Sequence, residues 1–253
     1  MSIAQQAVVS RQTRKLATSI ARCNSEVKEA QRLRWRVFAD EGGARLSTTE
    51  EGFDIDVFDP HCVHILVRDT TDDQVVGTYR ILTGAASRAT DGFYSETEFD
   101  LDRLRHLRPR IAELGRSCVH PNYRTGAVVA LLWSAIADAV EAHGCDILIG
   151  CASVTMSDGG HTAATVYERM SREHLAPHEY RVTPRNPVNL SGLDVARGKT
   201  VPPLMKGYIR AGAWICGAPH WDADFNTADF MMMLQLGTLS ERYARHYLTP
   251  IQD

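Results

Sequence analysis

One stretch of the sequence, residues 110–133, combines residue types that could bind an anion. It reads RIAELGRSCVHPNYRTGAVVALLW, and its first part predicts a strand that ends at Val119, with Pro121 two residues later. A short turn with Arg124 and Gly126 then opens directly into a helix. Backbone N–H groups of such a turn have no partner within the helix, so they can bind a pyrophosphate or a phosphodiester. An ordinary strand–turn–helix unit is the alternative.

Two other patterns suggest chemistry but have weak support. The segment His64–Asp69 (HILVRD) matches the HxxxxD pattern of glycerolipid acyltransferases. It lies along a predicted strand, whereas that pattern needs its two ends brought together at a loop. The residues His61, Cys62 and His64 could ligate a metal, but His61 and His64 face opposite sides of a strand. We therefore predict no metal site.

The composition is that of a folded protein. The chain has 253 residues, 44% hydrophobic residues and a formal net charge of −3, which excludes a disordered chain and a generic basic nucleic-acid binder. The six cysteines form no CxxC pair, and the N-terminus lacks the order of a secretory signal. We expect a cytoplasmic protein without nucleic acid as a partner, and leave peripheral contact with the inner face of the membrane open.

Hydrophobic periodicity predicts one mixed α/β domain in the order β-α-β-β-β-α-β-α-β-β. A first helix is predicted to be capped by Asn24-Ser25 and ended by Gly42-Gly43, and an acidic loop follows at 44–60. From residue 175 onward we expect strands and loops. The predicted strands are 16–23, 61–68, 74–82, 110–119, 146–154 and 230–236, and the other predicted helices are 128–143 and 161–173.

The residues of the 110–133 stretch resemble the acyl-carrier motif of the GNAT superfamily, the Gcn5-related N-acyltransferases. Its valine, proline, aromatic, arginine and glycine pattern is matched by Val119, Pro121, Tyr123, Arg124 and Gly126, and the helix continues to Leu-Leu. The turn is one residue shorter than the motif and has a single glycine. This favours the branch that takes acyl groups from acyl carrier protein. The resemblance implies a mixed central sheet with splayed strands, flanked by helices.

Three longer motifs narrow the resemblance to one branch. Residues 32–43 (RLRWRVFADEGG) resemble the first helix of acyl-homoserine-lactone synthases and ornithine N-acyltransferases. Residues 113–133 and 202–248, including DFNTADF and YARHYL, resemble the ornithine N-acyltransferases more closely. Members of that family transfer a 3-hydroxyacyl chain from acyl carrier protein to the α-amino group of ornithine. The expected boundaries are a tail at 1–13, one domain at 14–248 and a tail at 249–253.

The resemblance implies a catalytic pair and a proton donor. In the related synthases a strand glutamate and an arginine three residues later serve the site, and here these are Glu113 and Arg116. They share one face of a strand only if a bulge separates them. The glutamate would deprotonate or orient the acceptor amine, unless it is a structural carboxylate paired with Arg116 or Arg80. Tyr167 occupies a helix position where many GNAT enzymes keep a tyrosine that protonates the leaving thiolate.

The donor is expected to be the 4′-phosphopantetheine arm of acyl carrier protein, with no permanently bound cofactor. Backbone N–H groups near Cys118 and Val119 are candidates for the oxyanion site. An acyl-cysteine route through Cys118 is disfavoured, since no histidine or aspartate lies at a spacing that would indicate a catalytic partner for the thiol. The residues expected to bind the carrier arm are Cys118, Val119, Arg124, Thr125, Gly126 and Ala127.

An amino-acid acceptor needs a cation for its carboxylate and an anion for its side-chain ammonium. Asp56 and Arg80 match the polar pattern of the related synthases best. Candidate cations are Arg32, Arg36 and Arg80, and candidate anions are Asp54, Asp56, Asp59, Asp224 and Asp229.

A long acyl chain needs an apolar tunnel, and an acidic carrier protein needs a basic docking patch. Core packing and solvated charges are the alternatives for these residues. Tunnel candidates are Trp35, Phe38, Phe93, Trp133 and Met231 to Met233. Patch candidates are Arg103, Arg105, His106, Arg108 and Arg110, with Arg124 at the turn itself.

Other functions remain open at this point. An acyl-homoserine-lactone synthase, or an N-acyl amino acid synthase with another amine acceptor, shares the predicted fold and chemistry. A non-catalytic module that binds an acyl carrier is an alternative of a different class. The retained Glu113 and Arg116 argue against it.

Overall fold

The computed structural model describes residues 15–238, which form ten strands and five α-helices. The strands are β1 (Leu16–Ile20), β2 (Val63–Asp69), β3 (Gln74–Thr83), β4 (Phe99–Asp100), β5 (Ile111–Val119), β6 (Ile147–Thr155), β7 (Thr183–Pro184), β8 (Trp214–Ile215), β9 (His220–Asp222) and β10 (Thr227–Gln235). The helices are α1 (Asn24–Trp35), α2 (Ser95–Glu98), α3 (Ala127–Ala142), α4 (His161–Glu173) and α5 (Pro203–Ala211). The predicted tails and the YARHYL segment lie outside the described residues.

Eight strands form one mixed sheet in the order β1-β2-β3-β5-β6-β10-β8, with β9 paired to β10. The pair β5–β6 is parallel, and the crossover between these strands is α3. The other pairs of this sheet are antiparallel. Strands β4 and β7 form a separate two-stranded sheet.

Helices cover both faces of the sheet because neighbouring residues of a strand point to opposite sides. On one face, Leu33 of α1 packs with Leu66 of β2. On the other face, Leu132 of α3 packs with Ile65 and Val67 of the same strand. The α/β fold with a mixed sheet and flanking helices is the predicted one.

The predicted strands and helices up to residue 173 are confirmed, with two differences in the first helix, and one helix was missed further along the chain. The helix α1 begins at Asn24 after Cys23, whose side chain makes no cap hydrogen bond, so the predicted Asn24-Ser25 cap is wrong. Its last turn, Arg36–Glu41, is a π-helix. Helix α5 was not predicted. No helix of residues 15–238 has both the length and the apolarity needed to cross a bilayer.

The parallel strands β5 and β6 separate after a short paired stretch. Their register runs from Ile111↔Ile147 to Glu113↔Ile149 and stops there. At the point of separation, Gly150 of β6 approaches the backbone of Leu114 so closely that an added Cβ would overlap its carbonyl oxygen. The predicted splay is therefore present, and this glycine permits the backbone contact where it begins.

We expect Gly150→Ala to destabilise the protein by about 1–3 kcal/mol, because the new methyl group overlaps rigid backbone. The matched control is Gly115→Ala on β5, where an added Cβ meets no atom within 4 Å. Urea unfolding of both variants measures the difference. Equal stability of the two variants would contradict the close-packing argument.

Candidate active site

A cavity of about 510 Å³ lies where β5 and β6 separate. The sheet lines it with Glu113 and Arg116 from β5, Cys151 and Ser153 from β6 and Asp229 from β10. Two catalytic candidates from the sequence therefore face the same space as two binding candidates, Asp229 and Arg80 of β3.

Two segments near the C-terminal end complete the walls. Helix α5 contributes Tyr208, and the β9–β10 turn contributes Phe225 and lies next to Asp222. The DFNTADF block, residues 224–230, forms this turn and the start of β10. The motif singled out in the sequence thus lies at the cavity.

A bulge in β5 brings Glu113 and Arg116 to the same cavity. Arg116 and Ser117 lie opposite the single residue Tyr79 of β3, where the register shifts. Arg116 has a φ of 51°, in the left-handed region that side chains rarely adopt. Residues three apart in a regular strand face opposite sides, and the extra residue removes that conflict.

Glu113 is a buried carboxylate held by the loop that leads into α2. It accepts hydrogen bonds from the backbone N–H groups of Tyr94 and Ser95, both at 2.7 Å, and from the Ser95 hydroxyl at 2.5 Å. Burial raises the pKa of Glu113, and these hydrogen bonds oppose the rise. Within residues 15–238 it forms no ion pair with Arg80 or Arg116. The alternative of a structural carboxylate paired with one of these arginines is therefore wrong about the partner.

A network of buried ion pairs lies beside the cavity and links α1, the acidic loop, β3 and β5. Each arginine contacts two aspartates, and each aspartate contacts two arginines. The members are Arg34, Arg80, Arg116, Asp54, Asp56 and Asp59.

Arg34 is the most deeply buried member of the network, with no exposed surface. Its guanidinium donates to Asp54 at 2.7 Å and to Asp59 at 2.8 and 3.0 Å. Burial alone would raise the pKa of Asp59, but Arg34 and Arg80 together hold it well below its ordinary range. The charged form of Asp59 is therefore fixed by its two arginines.

The other two arginines line the cavity. Arg80 donates to Asp56 at 2.6 Å, so these two residues, each predicted to bind the acceptor, are paired with each other. Arg116 lies 3.2 Å from Asp54 and 3.3 Å from Asp56, yet its Nε has no hydrogen-bond partner among the described residues. Its guanidinium also lies over the Tyr94 ring at 4.9 Å. This partly satisfied cation can accept a carboxylate.

The candidate cations Arg32 and Arg36 do not reach the cavity. Both are exposed on α1 and the π-helical turn that continues it, and Arg32 lies 4.9 Å over the Phe53 ring. Asp224 is also exposed, 3.9 Å from Arg45. The two predicted arginines lie on the solvent face of the helix, whereas Arg34, which was not predicted, lies on its buried face.

Asp229 belongs to a cluster of three carboxylates at one side of the cavity. An oxygen of Asp229, one of Glu98 and one of Asp222 all lie within 4.8 Å of one another. Burial raises the pKa of Glu98 to about 8 and that of Asp229 to about 6. Such a cluster can bind a cation. The candidate residues His61, Cys62 and His64 form no comparable group in the described part of the chain.

The HxxxxD pattern is not assembled into a site. The His64 ring is hydrogen-bonded to the Asp59 carbonyl at 2.9 Å, and Asp69 accepts the Tyr123 hydroxyl at 2.9 Å. Both residues belong to β2 and lie near its two ends, so, as predicted from the sequence, they are not brought together at a loop.

The turn predicted to receive the carrier arm is exposed at the start of α3. Gly126 has a φ of 89° and precedes the helix, and Thr125 and Ala127 on either side of it are exposed. Arg124 forms two hydrogen bonds to Glu41, at 2.6 and 2.7 Å, and donates to the Val119 carbonyl at 3.2 Å. This turn is therefore tied to the end of the π-helical segment.

Cys118 is buried rather than open to a carrier arm. It packs with α1 on the covered face of the sheet, and burial raises the pKa of its thiol to about 12. A covalent route through Cys118 has no geometric support.

The predicted basic patch is largely neutralised by neighbours. Arg105 pairs with Asp102, Arg108 with Glu96 and Arg110 with Asp146, at 2.5 to 2.7 Å. The remaining candidates are Arg103, which donates to the His178 carbonyl at 3.1 Å, and His106, which is exposed. The basic patch was predicted from its arginines alone, without the acidic side chains that pair with them.

The structure does not bring Tyr167 to the cavity. Tyr167 lies on α4 and packs against the main core. Tyr208 of α5 lines the cavity instead, and its hydroxyl is hydrogen-bonded to that of Tyr79. Tyr208 was not predicted as a site residue because α5, which carries it, was not predicted.

The aromatic and methionine candidates divide between cavity and core. Phe38 lines the main cavity. Trp133 and Met232 line a small adjoining space of about 30 Å³ between β5 and β6, which shares Leu114 and Tyr208 with the main cavity. The residues that line neither space are Trp35, Phe93, Met231 and Met233.

Comparisons with known proteins agree with this geometry. The family described as Acetyltransferase (GNAT) domain matches residues 33–134. The L-ornithine N(alpha)-acyltransferase of Brucella abortus (strain 2308) is 36% identical over 252 residues, covering 92% of this chain and 88% of that protein. The predicted GNAT fold is confirmed.

Two solved structures share the fold at low identity. FeeM, an N-acyl amino acid synthase from uncultured soil microbes, matches with a TM-score of 0.55 and 13% identity, over 93% of this chain and 96% of its own. The AHL synthase LasI matches with a TM-score of 0.54 and 16% identity, over 95% of this chain and 98% of its own.

We expect Arg34→Gln to destabilise the protein by about 3–5 kcal/mol, because it leaves Asp54 and Asp59 buried with too little compensating charge. Arg32→Gln, two residues earlier on the exposed face of α1, should cost less than about 1 kcal/mol. Denaturant unfolding at neutral pH compares them. Similar losses for both variants would show that the network does not stabilise the fold.

Proposed function

This chain belongs to the family of L-ornithine N(alpha)-acyltransferases, and we propose that it transfers a 3-hydroxy fatty acyl group from acyl carrier protein to the α-amino group of ornithine. The product of that transfer is a lyso-ornithine lipid. The observation that carries the proposal is the cavity, which combines a buried carboxylate, an arginine and an acidic cluster beside an exposed helix start.

The acceptor amine must lose a proton before it can attack a thioester. Glu113 lines the cavity and has a raised pKa, so it is suited to take that proton directly or through a water molecule. The nitrogen then forms a bond to the acyl carbon, and the carbon–sulfur bond breaks. The departing thiolate takes up a proton, for which Tyr208 is better placed than Tyr167.

The bulge in β5 supplies candidates for stabilising the oxyanion. Cys118 and Val119 are paired with Thr78 and Gly77 of β3, and neighbouring N–H groups of a strand point to opposite sides, so β3 can engage only one of the two. The backbone N–H groups near Arg116 and Ser117, which oppose one residue of β3, are the alternative donors. The oxyanion candidates are therefore the N–H groups of the bulge together with the one near Cys118 and Val119 that β3 does not engage.

The carrier arm and the acyl chain would bind to different parts of the protein. The exposed turn at Gly126 and the start of α3 offer backbone N–H groups to the phosphodiester of a phosphopantetheine arm. The apolar space lined by Leu114, Trp133 and Met232 adjoins the cavity, but at about 30 Å³ it holds at most a small part of the acyl chain, so most of the chain would lie in the main cavity of about 510 Å³.

We also propose that the protein works in the cytoplasm. Its six cysteines are all free, which suits a reducing compartment. Peripheral contact with the inner face of the membrane is part of the proposal, because the acylated product is lipophilic.

We expect thiol release from 3-hydroxyacyl carrier protein with ornithine, and not with glycine, glutamine or S-adenosylmethionine. Glu113→Gln should lower kcat with ornithine by about 10²–10⁴-fold, as expected for loss of a general base. The control Glu173→Gln changes an exposed carboxylate on α4 and should keep kcat. Product masses identify the acylated amine.

Two outcomes would contradict this assignment. Release with another amine and none with ornithine would move the acceptor, and an unchanged kcat in Glu113→Gln would remove this residue from the chemistry. Thermal unfolding of both variants separates a folding defect from a catalytic one.

We expect Arg124→Glu to raise the KM for acyl carrier protein by about tenfold, because the partner is acidic and this arginine lies at the proposed docking turn. Arg172→Glu is the control, since Arg172 is an exposed arginine on α4 that pairs with Glu168. Steady-state kinetics across a salt series measure both. A KM that does not change with salt would refute electrostatic docking.

A further inference from the structure

The two groups of three carboxylates at the cavity differ in how their charge is balanced. Asp54, Asp56 and Asp59 face three arginines. The second group, which we call the acidic cluster, consists of Glu98, Asp222 and Asp229. Within residues 15–238, no arginine or lysine forms an ion pair with any member of the acidic cluster. Burial and neighbouring carboxylates raise the pKa of Glu98 and Asp229, and a cationic ligand between them would offset both effects, so the cluster is suited to such a ligand.

The burial of the acidic cluster supports this argument. Glu98 and Asp229 are each 4% exposed, and the Cys151 thiol and the Tyr94 hydroxyl lie near the Glu98 carboxylate, but neither forms a hydrogen bond of good geometry with it in the described structure. Asp229 accepts from the Thr227 hydroxyl at 2.9 Å, and Asp222 accepts from backbone N–H groups. Asp222 and Asp229 line the cavity, so a ligand there can reach the cluster.

The three oxygens lie close enough together to contact one ammonium group. An ammonium has three donors, and acceptors at about 2.8 Å around a tetrahedral nitrogen lie about 4.6 Å apart. The three oxygens lie within 4.8 Å of one another. Oxygen ligands of Ca²⁺, at about 2.4 Å from the ion, crowd more closely and are more numerous.

We propose that the acidic cluster binds the side-chain ammonium of the acceptor and thereby selects ornithine over amino acids with uncharged side chains. This inference rests on the proposed function. Arg116 on β5 is the corresponding anchor for the acceptor carboxylate, and Glu113 lies on the same strand to serve the α-amine. The acceptor is thus held at both ends, with its α-amine near the carboxylate that deprotonates it.

The test compares ornithine with norvaline, which has the same carbon chain without the terminal amine. The donor is 3-hydroxyacyl carrier protein and the enzyme is the full chain. The wild type should prefer ornithine in kcat/KM by about 100-fold or more. Glu98→Gln and Asp229→Asn should each reduce kcat/KM for ornithine by about 30-fold or more, mainly through KM. The value for norvaline should stay within about threefold.

The norvaline rate shows whether each variant is folded, and Glu173→Gln on α4 is the matched surface control. An unchanged ornithine-to-norvaline ratio in both variants, with ornithine still acylated, overturns the role of the cluster and leaves the proposed function intact. A wild type that acylates other amines but not ornithine overturns the proposed function instead. Activity that EDTA abolishes and Ca²⁺ restores identifies a metal site and overturns the inference.

Discussion

Three arginines can be buried beside the cavity because three aspartates neutralise them there. An unpaired buried ion costs several kcal/mol, so each partner of this network depends on the others. The network joins α1, the acidic loop, β3 and β5, which are distant in sequence. The cavity wall at Arg116 therefore depends on a helix and a loop that do not themselves form the sheet.

The two sides of the cavity differ in how their charges are balanced. On the side of the network, positive and negative charges balance, and Arg116 lines the cavity with its Nε 3.2 Å from Asp54 but not in hydrogen-bond geometry. On the side of Asp229, the carboxylates are not balanced by a cation. A zwitterionic acceptor with a second positive charge complements both sides, whereas a neutral side chain leaves one side uncompensated.

Local sequence signals predicted the framework, and the buried partners required the three-dimensional structure. The strand–turn–helix at 110–133 and the alternation in β2 follow from short-range patterns, and resemblance identified Glu113 and Arg116. Arg34 was missed because an arginine on an apolar helix is ordinarily placed on its solvent face. Glu98 was missed because it ends α2, a helix of one turn that is too short to show periodicity. Helix α5 did have a usable signal, since proline at its first position and Gly212 after its end mark a helix.

The thiol of Cys151 has a consequence for chemoselectivity. Cys151 lines the cavity, and burial raises the pKa of this thiol well above its ordinary value, with the charges of Glu98 and Asp229 adding to the rise. Only a thiolate exchanges readily with a thioester. A protonated Cys151 does not compete with the amine for the acyl group, so the protein avoids acylating itself. The carboxylates proposed to select the acceptor thus also protect the donor from a wasteful transfer.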